Sequence, residues 1–86
     1  RGILRTDSRV GPFMAARKPI QQRFGERCRE LRPPLGLSQM DMVRQFDWTL
    51  SHYQKIERGD LDPRLSTVER IAASFNVSMA ELLTSV

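Results

Sequence analysis

Apolar residues in the first half of the chain recur at the spacing of one face of an α-helix. The intervals are four, four and three residues, at Ile20, Phe24, Cys28 and Leu31. This spacing is typical of an amphipathic helix and predicts a first helix over residues 20–32. Pro33 and Pro34 should end it, because proline has no backbone N–H donor and disfavours helical geometry in the residue before it.

A second, short helix is predicted after Gly36. Ser38 followed three residues later by Asp41 is a capping-box pattern with an acid in the position that Glu or Gln usually takes. The apolar side of this helix holds Met42, Val43 and Phe46. We expect the helix to stop near Asp47, a residue type that tolerates a left-handed backbone better than most.

A third helix should follow after one tight turn. Thr49 offers a new N-cap, and Gly59 is the usual residue for the left-handed position that closes a helix. These limits predict a helix over about residues 50–58. Its buried side would hold Tyr53 and Ile56, and its outer face is polar.

Two further amphipathic helices complete the pattern. The first follows a loop at residues 60–63 and carries Leu65, Val68, Ile71, Ala72 and Phe75 on one face. Asn76 can close it, and Ser78 with Glu81 forms a full capping box for a fifth helix that runs to about Leu83. No segment has the pattern of a strand. The sequence therefore predicts an all-α fold of five helices.

Charge divides the chain into a basic arm, residues 1–19, and a nearly neutral domain, residues 20–86. Six basic residues and one acidic residue precede Phe24, whereas eight basic and nine acidic residues follow from there on. A basic arm can bind phosphates by displacing counterions, and a merely solvated tail is the alternative. If Met14 is the natural start, residues 1–13 are not native.

Composition argues against catalysis and against metal binding. One cysteine and one histidine provide no nucleophile with its base and no ligand set, so we expect neither an enzyme nor a metal or other cofactor. Cys28 lies in the apolar stripe, where a buried core role is expected over a redox switch. No stretch approaches the roughly 20 apolar residues of a membrane span, and no secretory signal is present. We expect an intracellular, cytoplasmic protein.

The apolar periodicity alone is compatible with any small helical bundle, and particular motifs narrow the choice of fold. They are Leu37-Ser38-Gln39, Ile56-Glu57-Arg58-Gly59 and Val77-Ser78-Met79-Ala80-Glu81-Leu82-Leu83. Together with residues 24–32, Pro63 and Ile71-Ala72, these motifs resemble the lambda-repressor-like family of helix-turn-helix transcriptional regulators, also called the Cro/cI or XRE family. The resemblance covers residues 24–83. It implies a five-helix DNA-binding domain whose second and third helices form the helix-turn-helix.

The resemblance implies that the third helix lies in the major groove of double-stranded DNA. It places base readout at Leu50, Ser51 and Lys55. Lysine can donate to guanine O6 and N7, serine can donate or accept, and leucine can contact a thymine methyl. We therefore expect a guanine and a nearby thymine in each half-site. For Lys55, contact with a phosphate is the alternative.

Phosphate contacts are expected around the base-reading residues. The resemblance places one at Gln39, where the side chain and the N–H groups that open the second helix would form an anion site. Further candidates are His52, Gln54 and Arg64. For Gln39, His52 and Arg64 the alternative is an ordinary surface side chain without a ligand.

One ion pair and three departures from the family pattern concern the scaffold. Arg32 and Glu57 match a family pair that links the first helix to the end of the third, which implies a structural role. Val43 stands where the family prefers alanine, Asp47 replaces the usual turn glycine, and Tyr53 takes a place that is usually aliphatic.

A regulator of this family is expected to act as a homodimer, because two recognition helices on a palindromic operator read more base pairs than one. The expected interface is Met79, Leu82, Leu83 and Val86, with core packing as the alternative for Leu82. A phage-type repressor, a controller of a restriction-modification operon, and an antitoxin or autoregulator of a small operon remain open. The last role would add a protein partner. A bacterial or phage source is expected.

The competing interpretation is a protein-interaction module that has kept the fold and lost specific DNA binding. The nearly neutral charge from Phe24 onward favours it. Salt-sensitive DNA binding that weakens on the substitution Lys55→Ala would separate the two interpretations.

Overall fold

A computed structural model describes residues 17–86, which over that range form five α-helices and no strand. The helices are α1 (Ile20–Leu31), α2 (Gln39–Gln45), α3 (Leu50–Arg58), α4 (Leu65–Phe75) and α5 (Met79–Leu82), with a short 3₁₀ helix at Pro33–Leu35. The all-α prediction is confirmed. None of the helices in the described range is long and apolar enough to cross a membrane. Residues 1–16 of the basic arm lie outside the described residues.

The helix starts follow from the capping residues in the sequence. The Ser38 hydroxyl accepts a hydrogen bond from the backbone N–H of Asp41 at 3.0 Å, and the Asp41 carboxylate accepts one from the Ser38 N–H at 2.7 Å. Ser78 and Glu81 form the same capping box at α5. The Thr49 hydroxyl accepts the N–H of His52 at 3.0 Å and so starts α3. Each cap satisfies a backbone donor that the helix itself leaves unpaired.

The turn between α2 and α3 lies where the sequence predicts the second helix to stop, near Asp47. Asp47 stands where the family has a turn glycine, yet among the described residues other than glycine only Asn76 and Ser85 have positive φ angles. α2 ends at Gln45, and Phe46 is extended, with φ −134° and ψ 168°. One extended residue redirects the chain toward Thr49, so the turn requires neither a glycine nor a left-handed residue.

All five helices contribute to one apolar core. Its fully buried members include Cys28 from α1, Met42 from α2, Ile56 from α3, Ile71 from α4 and Leu82 from α5. α1 packs against α3, α2 packs against both α3 and α4, and α4 packs against α5. Burial raises the pKa of the Cys28 thiol to about 12, with a smaller contribution from the negative charge of Glu57. Cys28 is therefore a core residue, as expected, and its thiolate is strongly disfavoured.

Candidate nucleic-acid interface

α3 has one side in the core and one side open to solvent. Tyr53, Ile56 and Glu57 are buried, whereas Ser51 and Lys55 are exposed. Side chains four residues apart are neighbours on a helix surface. Ser51 and Lys55 therefore form one ridge of the open face, and Leu50 with Gln54, both half-buried, forms the ridge beside it.

The backbones of α1 and α3 approach each other closely at Gly25. A Cβ atom added at Gly25 would lie 2.4 Å from the carbonyl oxygen of Glu57 and 2.7 Å from that of Ile56. Any side chain would push α3 away from α1, because the opposing atoms belong to the backbone and cannot turn aside. Glycine is therefore required here, and it sets the depth at which α3 sits on α1.

An ion pair fixes the C-terminal half of α3. The Arg32 guanidinium, at the end of α1, donates from Nε to Glu57 Oε2 at 2.7 Å and from Nη2 to Glu57 Oε1 at 3.2 Å. Its Nη1 donates to the backbone carbonyl of Leu37 at 2.9 Å. The Glu57 side chain is only 2% exposed. One arginine thus holds the end of α1, the segment before α2 and the buried face of α3 together.

The environment of Glu57 keeps its carboxylate ionised. Burial disfavours the charge, but interactions with Arg32, Tyr53 and Gln39 together outweigh that penalty and hold the pKa of Glu57 below its usual value. The hydroxyl of Tyr53 is buried and has no well-formed hydrogen bond in the described part of the chain. Burial raises the pKa of Tyr53, so its phenol remains protonated.

Gln39 connects this buried pair to the surface of α3. Its Nε2 donates to Glu57 Oε1 at 3.0 Å, and its Oε1 accepts from Gln54 Nε2 at 3.2 Å. A chain of hydrogen bonds therefore runs from Arg32 through Glu57 and Gln39 to Gln54. It orients the Gln54 amide at the edge of the open face. The sequence indicated the Arg32–Glu57 pair but not this continuation.

Aromatic side chains fill the turn between α2 and α3. The ring of Trp48 stacks on that of Tyr53, with centroids 6.0 Å apart and an interplanar angle of 11°. It also contacts Phe46 at 4.5 Å between centroids and His52 at 6.0 Å. The Trp48 ring therefore packs within the turn between α2 and α3 and contacts His52 in the first turn of α3.

A polar cleft lies beside the N-terminal end of α3. It is lined by His52 and by residues of the loop and first turns of α4, among them Arg64, Ser66, Thr67 and Arg70. The Arg70 guanidinium lies over the ring of Phe46, 5.5 Å from its centroid. Two guanidinium groups and two hydroxyls can bind an anion, although Asp62 adds a carboxylate to the lining. Sequence reasoning missed Arg70; its i, i+3 spacing from Thr67 was the available signal.

Comparisons with known proteins place this architecture in a family. A family described as helix-turn-helix domain matches residues 23–84. The chain belongs to the helix-turn-helix domain family. This confirms the lambda-repressor-like resemblance, with α2 and α3 as the helix-turn-helix.

Two curated relatives carry regulatory names. A control protein, C.MunI, from Mycoplasma sp is 31% identical over 68 residues, which are 78% of this chain and 92% of that protein. The HTH-type transcriptional regulator DdrOP3 from Deinococcus deserti is 31% identical over 61 residues, 71% of this chain. The match spans 47% of the second relative's length. No solved structure gives a significant match.

The helix-turn-helix domain brings together most of the residues expected to contact DNA. Leu50, Ser51, His52, Gln54 and Lys55 lie within two turns of α3, and none of them is fully buried. Arg64, at the N-cap of α4, lines the cleft beside His52. Gln39 is half-buried, and its side-chain amide is bonded at both ends inside the domain.

The residues expected at the dimer interface fall into different environments. Leu82 is fully buried in the core of a single chain, so its side chain has no surface left for a second copy. The core alternative therefore holds for Leu82. Met79 and Val86 are half-buried and pack on that core, whereas Leu83 is 38% exposed.

Proposed function

We propose that the protein is a sequence-specific transcriptional regulator that binds double-stranded DNA by placing α3 in the major groove. The observation that carries the proposal is the division of α3 into a fixed buried side and an open polar side. Gly25 and Glu57 fix the helix to α1, while Ser51 and Lys55 remain exposed on the opposite side. A rigidly held helix with free donors is what direct readout of base edges requires.

The outward side chains suit a short, specific half-site. Lys55 can donate to guanine O6 and N7, Ser51 can donate to or accept from a neighbouring base, and Leu50 can contact a thymine methyl. Because Ser51 and Lys55 share one ridge, they would read base pairs that are adjacent along the groove. The Gln54 amide, held by Gln39 at 3.2 Å, is the third polar group available to a base or phosphate.

The polar cleft supports binding to the DNA backbone. Arg64 and Arg70 supply positive charge, and the hydroxyls of Ser66 and Thr67 can donate to phosphate oxygens. His52 would add an N–H donor on the α3 side. Phosphate contacts on this side would fix the register of α3 in the groove, since they position the protein without reading sequence.

The proposed mode of action is that of a homodimeric repressor or autoregulator on a palindromic operator. One recognition helix reads only a few base pairs, whereas a two-fold dimer reads two half-sites about one helical turn apart. The names of the two relatives, a control protein and a transcriptional regulator, support regulation over catalysis as the role of this chain.

A protein-interaction module is the second candidate. Residues from Phe24 onward carry eight basic and nine acidic side chains, a balance that gives little general attraction to DNA. Specific groove contacts would have to supply the affinity. The experiment must therefore measure specificity and salt dependence separately.

Selection of bound duplexes from a random DNA library, followed by titration of the selected duplex at two salt concentrations, tests the proposal. We expect a two-fold symmetric motif bound at least about a thousandfold more tightly than scrambled duplex. The substitution Lys55→Ala should weaken that preference. If no motif is enriched, or if selected and scrambled duplexes bind equally and both are lost on adding salt, the interaction module becomes the better explanation.

A further inference from the structure

The lysine and arginine side chains of residues 17–86 differ in whether another group of the domain already binds them. Five form ion pairs with acidic side chains: Lys18, Arg27, Arg32, Arg44 and Arg58. Three donate to backbone carbonyl oxygens: Arg17, Arg23 and Arg29. Lys55, Arg64 and Arg70 have neither kind of partner among the described residues. The cations that are available to an external anion therefore lie on the open face of α3 and in the polar cleft beside it.

Arg70 contacts an aromatic ring where the paired cations contact a carboxylate. The central carbon of its guanidinium lies 5.5 Å from the centroid of the Phe46 ring, over the ring. This distance is within the range of a cation–π interaction, which attracts a cation to the ring face. A phenyl ring carries no net charge, so the contact positions the side chain without neutralising it. The positive charge and the N–H donors of Arg70 remain available to an anion.

The ring of Phe46 is itself held by the other aromatic residues of the turn. Its centroid lies 4.5 Å from that of Trp48. Trp48 stacks in turn on Tyr53, which is fully buried in the core. Phe46 follows the last residue of α2, whereas Arg70 belongs to α4. The support beneath Arg70 is therefore continuous with the core and comes from a different element than the helix that carries Arg70.

We propose that Phe46 is a positioning residue for DNA binding, which holds Arg70 so that its guanidinium binds a phosphate of the DNA backbone. The inference rests on the proposed function. A long side chain loses conformational freedom when it binds a ligand, and a side chain that is already held in place loses less. The cleft is lined by one acidic residue, Asp62, which forms no ion pair with Arg64 or Arg70 in the described range. A phosphate would therefore meet both arginines as uncompensated cations.

A double-mutant cycle on DNA affinity tests this role, with the full chain and the duplex obtained from the library selection. Arg70→Gln should weaken binding to selected and scrambled duplexes alike by about tenfold, because a charge-assisted hydrogen bond is lost. It should also lower the slope of log affinity against log salt by about one. Phe46→Leu keeps an apolar side chain but removes the ring, and should weaken binding by about two- to fivefold. In the Arg70→Gln background, Phe46→Leu should have no further effect.

Controls separate the lost contact from a folding defect. Phe46→Tyr retains the ring and should bind DNA as the wild type does. Lys18→Gln removes a cation that pairs with Glu26 on α1 and should leave the affinity nearly unchanged. Far-UV circular dichroism checks that each variant is folded. The same cycle on urea unfolding without DNA measures the contact directly, because the effects of Phe46→Leu and Arg70→Gln on the unfolding constant should be non-additive by about two- to fivefold.

The outcomes separate this role from the proposed function. If a motif is enriched and folded Phe46→Leu weakens binding equally in the wild-type and Arg70→Gln backgrounds, only the positioning role is overturned. An Arg70→Gln variant with unchanged affinity and salt slope overturns it as well. If the wild type binds no duplex although the two substitutions are coupled in urea unfolding, the contact exists but the proposed function fails, and a role of Phe46 in DNA binding fails with it.

Discussion

The guanidinium of Arg32 donates to the carboxylate of Glu57 over 2.7 Å, and through this pair the last turn of α1 holds the last turn of α3. Both side chains are largely withdrawn from solvent, with 15% of Arg32 and 2% of Glu57 exposed. A buried pair contributes little net stability compared with an apolar replacement of both partners, yet loss of one partner leaves an uncompensated charge. The position of α3 therefore depends on both groups being present.

Arg32→Ala should lower the free energy of unfolding by about 3 to 5 kcal/mol, because the buried Glu57 carboxylate would lose its counter-charge. Urea denaturation at neutral pH measures the change. Arg44→Ala is the control, since Arg44 pairs with Asp41 on the surface and is 68% exposed; it should change stability only slightly. Equal losses for the two variants would contradict a special role for the buried pair.

The stabilising effect of Glu57 should depend on pH in a defined direction. Its pKa in the folded protein lies below the ordinary value of 4.5, so the unfolded state takes up the proton first as the pH falls. The difference in free energy of unfolding between the wild type and Glu57→Gln should be constant above about pH 5 and should shrink at lower pH. Urea titrations at several pH values give this difference. Were it to grow on acidification, the pKa of Glu57 would be raised instead.

Gly25→Ala should destabilise the protein even though alanine is the better helix former. Helix propensity favours alanine by about 1 kcal/mol, but the added Cβ would lie 2.4 Å from a backbone oxygen of α3. Overpacking of this kind costs about 1 to 3 kcal/mol and sometimes more. Gly36→Ala is the comparison, because Gly36 has a φ of +74° and open space around it. The loss of thermal stability in Gly36→Ala should therefore come from backbone strain alone, without a steric clash. DNA affinity should fall only for Gly25→Ala.

Lys55→Ala and Arg64→Ala should weaken DNA binding in different ways. Loss of a base contact at Lys55 should cost about 1 to 3 kcal/mol on the selected duplex and reduce discrimination against scrambled duplex. Loss of a phosphate contact at Arg64 should weaken all duplexes alike and lower the slope of log affinity against log salt by about one. Lys18→Ala is the control cation, since Lys18 pairs with Glu26 on α1. If Lys55→Ala changed only the salt slope, Lys55 would contact phosphate.

The helices could be predicted from the sequence because their determinants are local. Apolar spacing, Ser38 and Ser78 as N-caps and Gly59 as a C-cap act within one or two turns, and each of these signals was confirmed. The sequence predicted the helix end near Asp47 but not the path of the turn, in which Phe46 is extended and its ring packs against Trp48. That packing joins side chains whose contact cannot be read from spacing.

Only part of the candidate site could be predicted from the sequence, because several of its contacts join residues that are far apart along the chain. The resemblance supplied Lys55 and the Arg32–Glu57 pair by position. The bond from Gln39 to Gln54 connects residues 15 apart in sequence, and the cleft brings Arg70 of α4 beside His52 of α3. Such contacts depend on how helices pack, and helix periodicity does not specify the packing.

Trp48 is the single tryptophan of the chain and is therefore an intrinsic fluorescence probe. Its indole lies between the two helices of the motif, stacked on Tyr53 and in contact with His52. Indole emission responds to the polarity of the groups around the ring. Changes in the emission of Trp48 would therefore report changes in the position of α3 relative to the ring, in unlabelled protein, during a DNA titration or during unfolding.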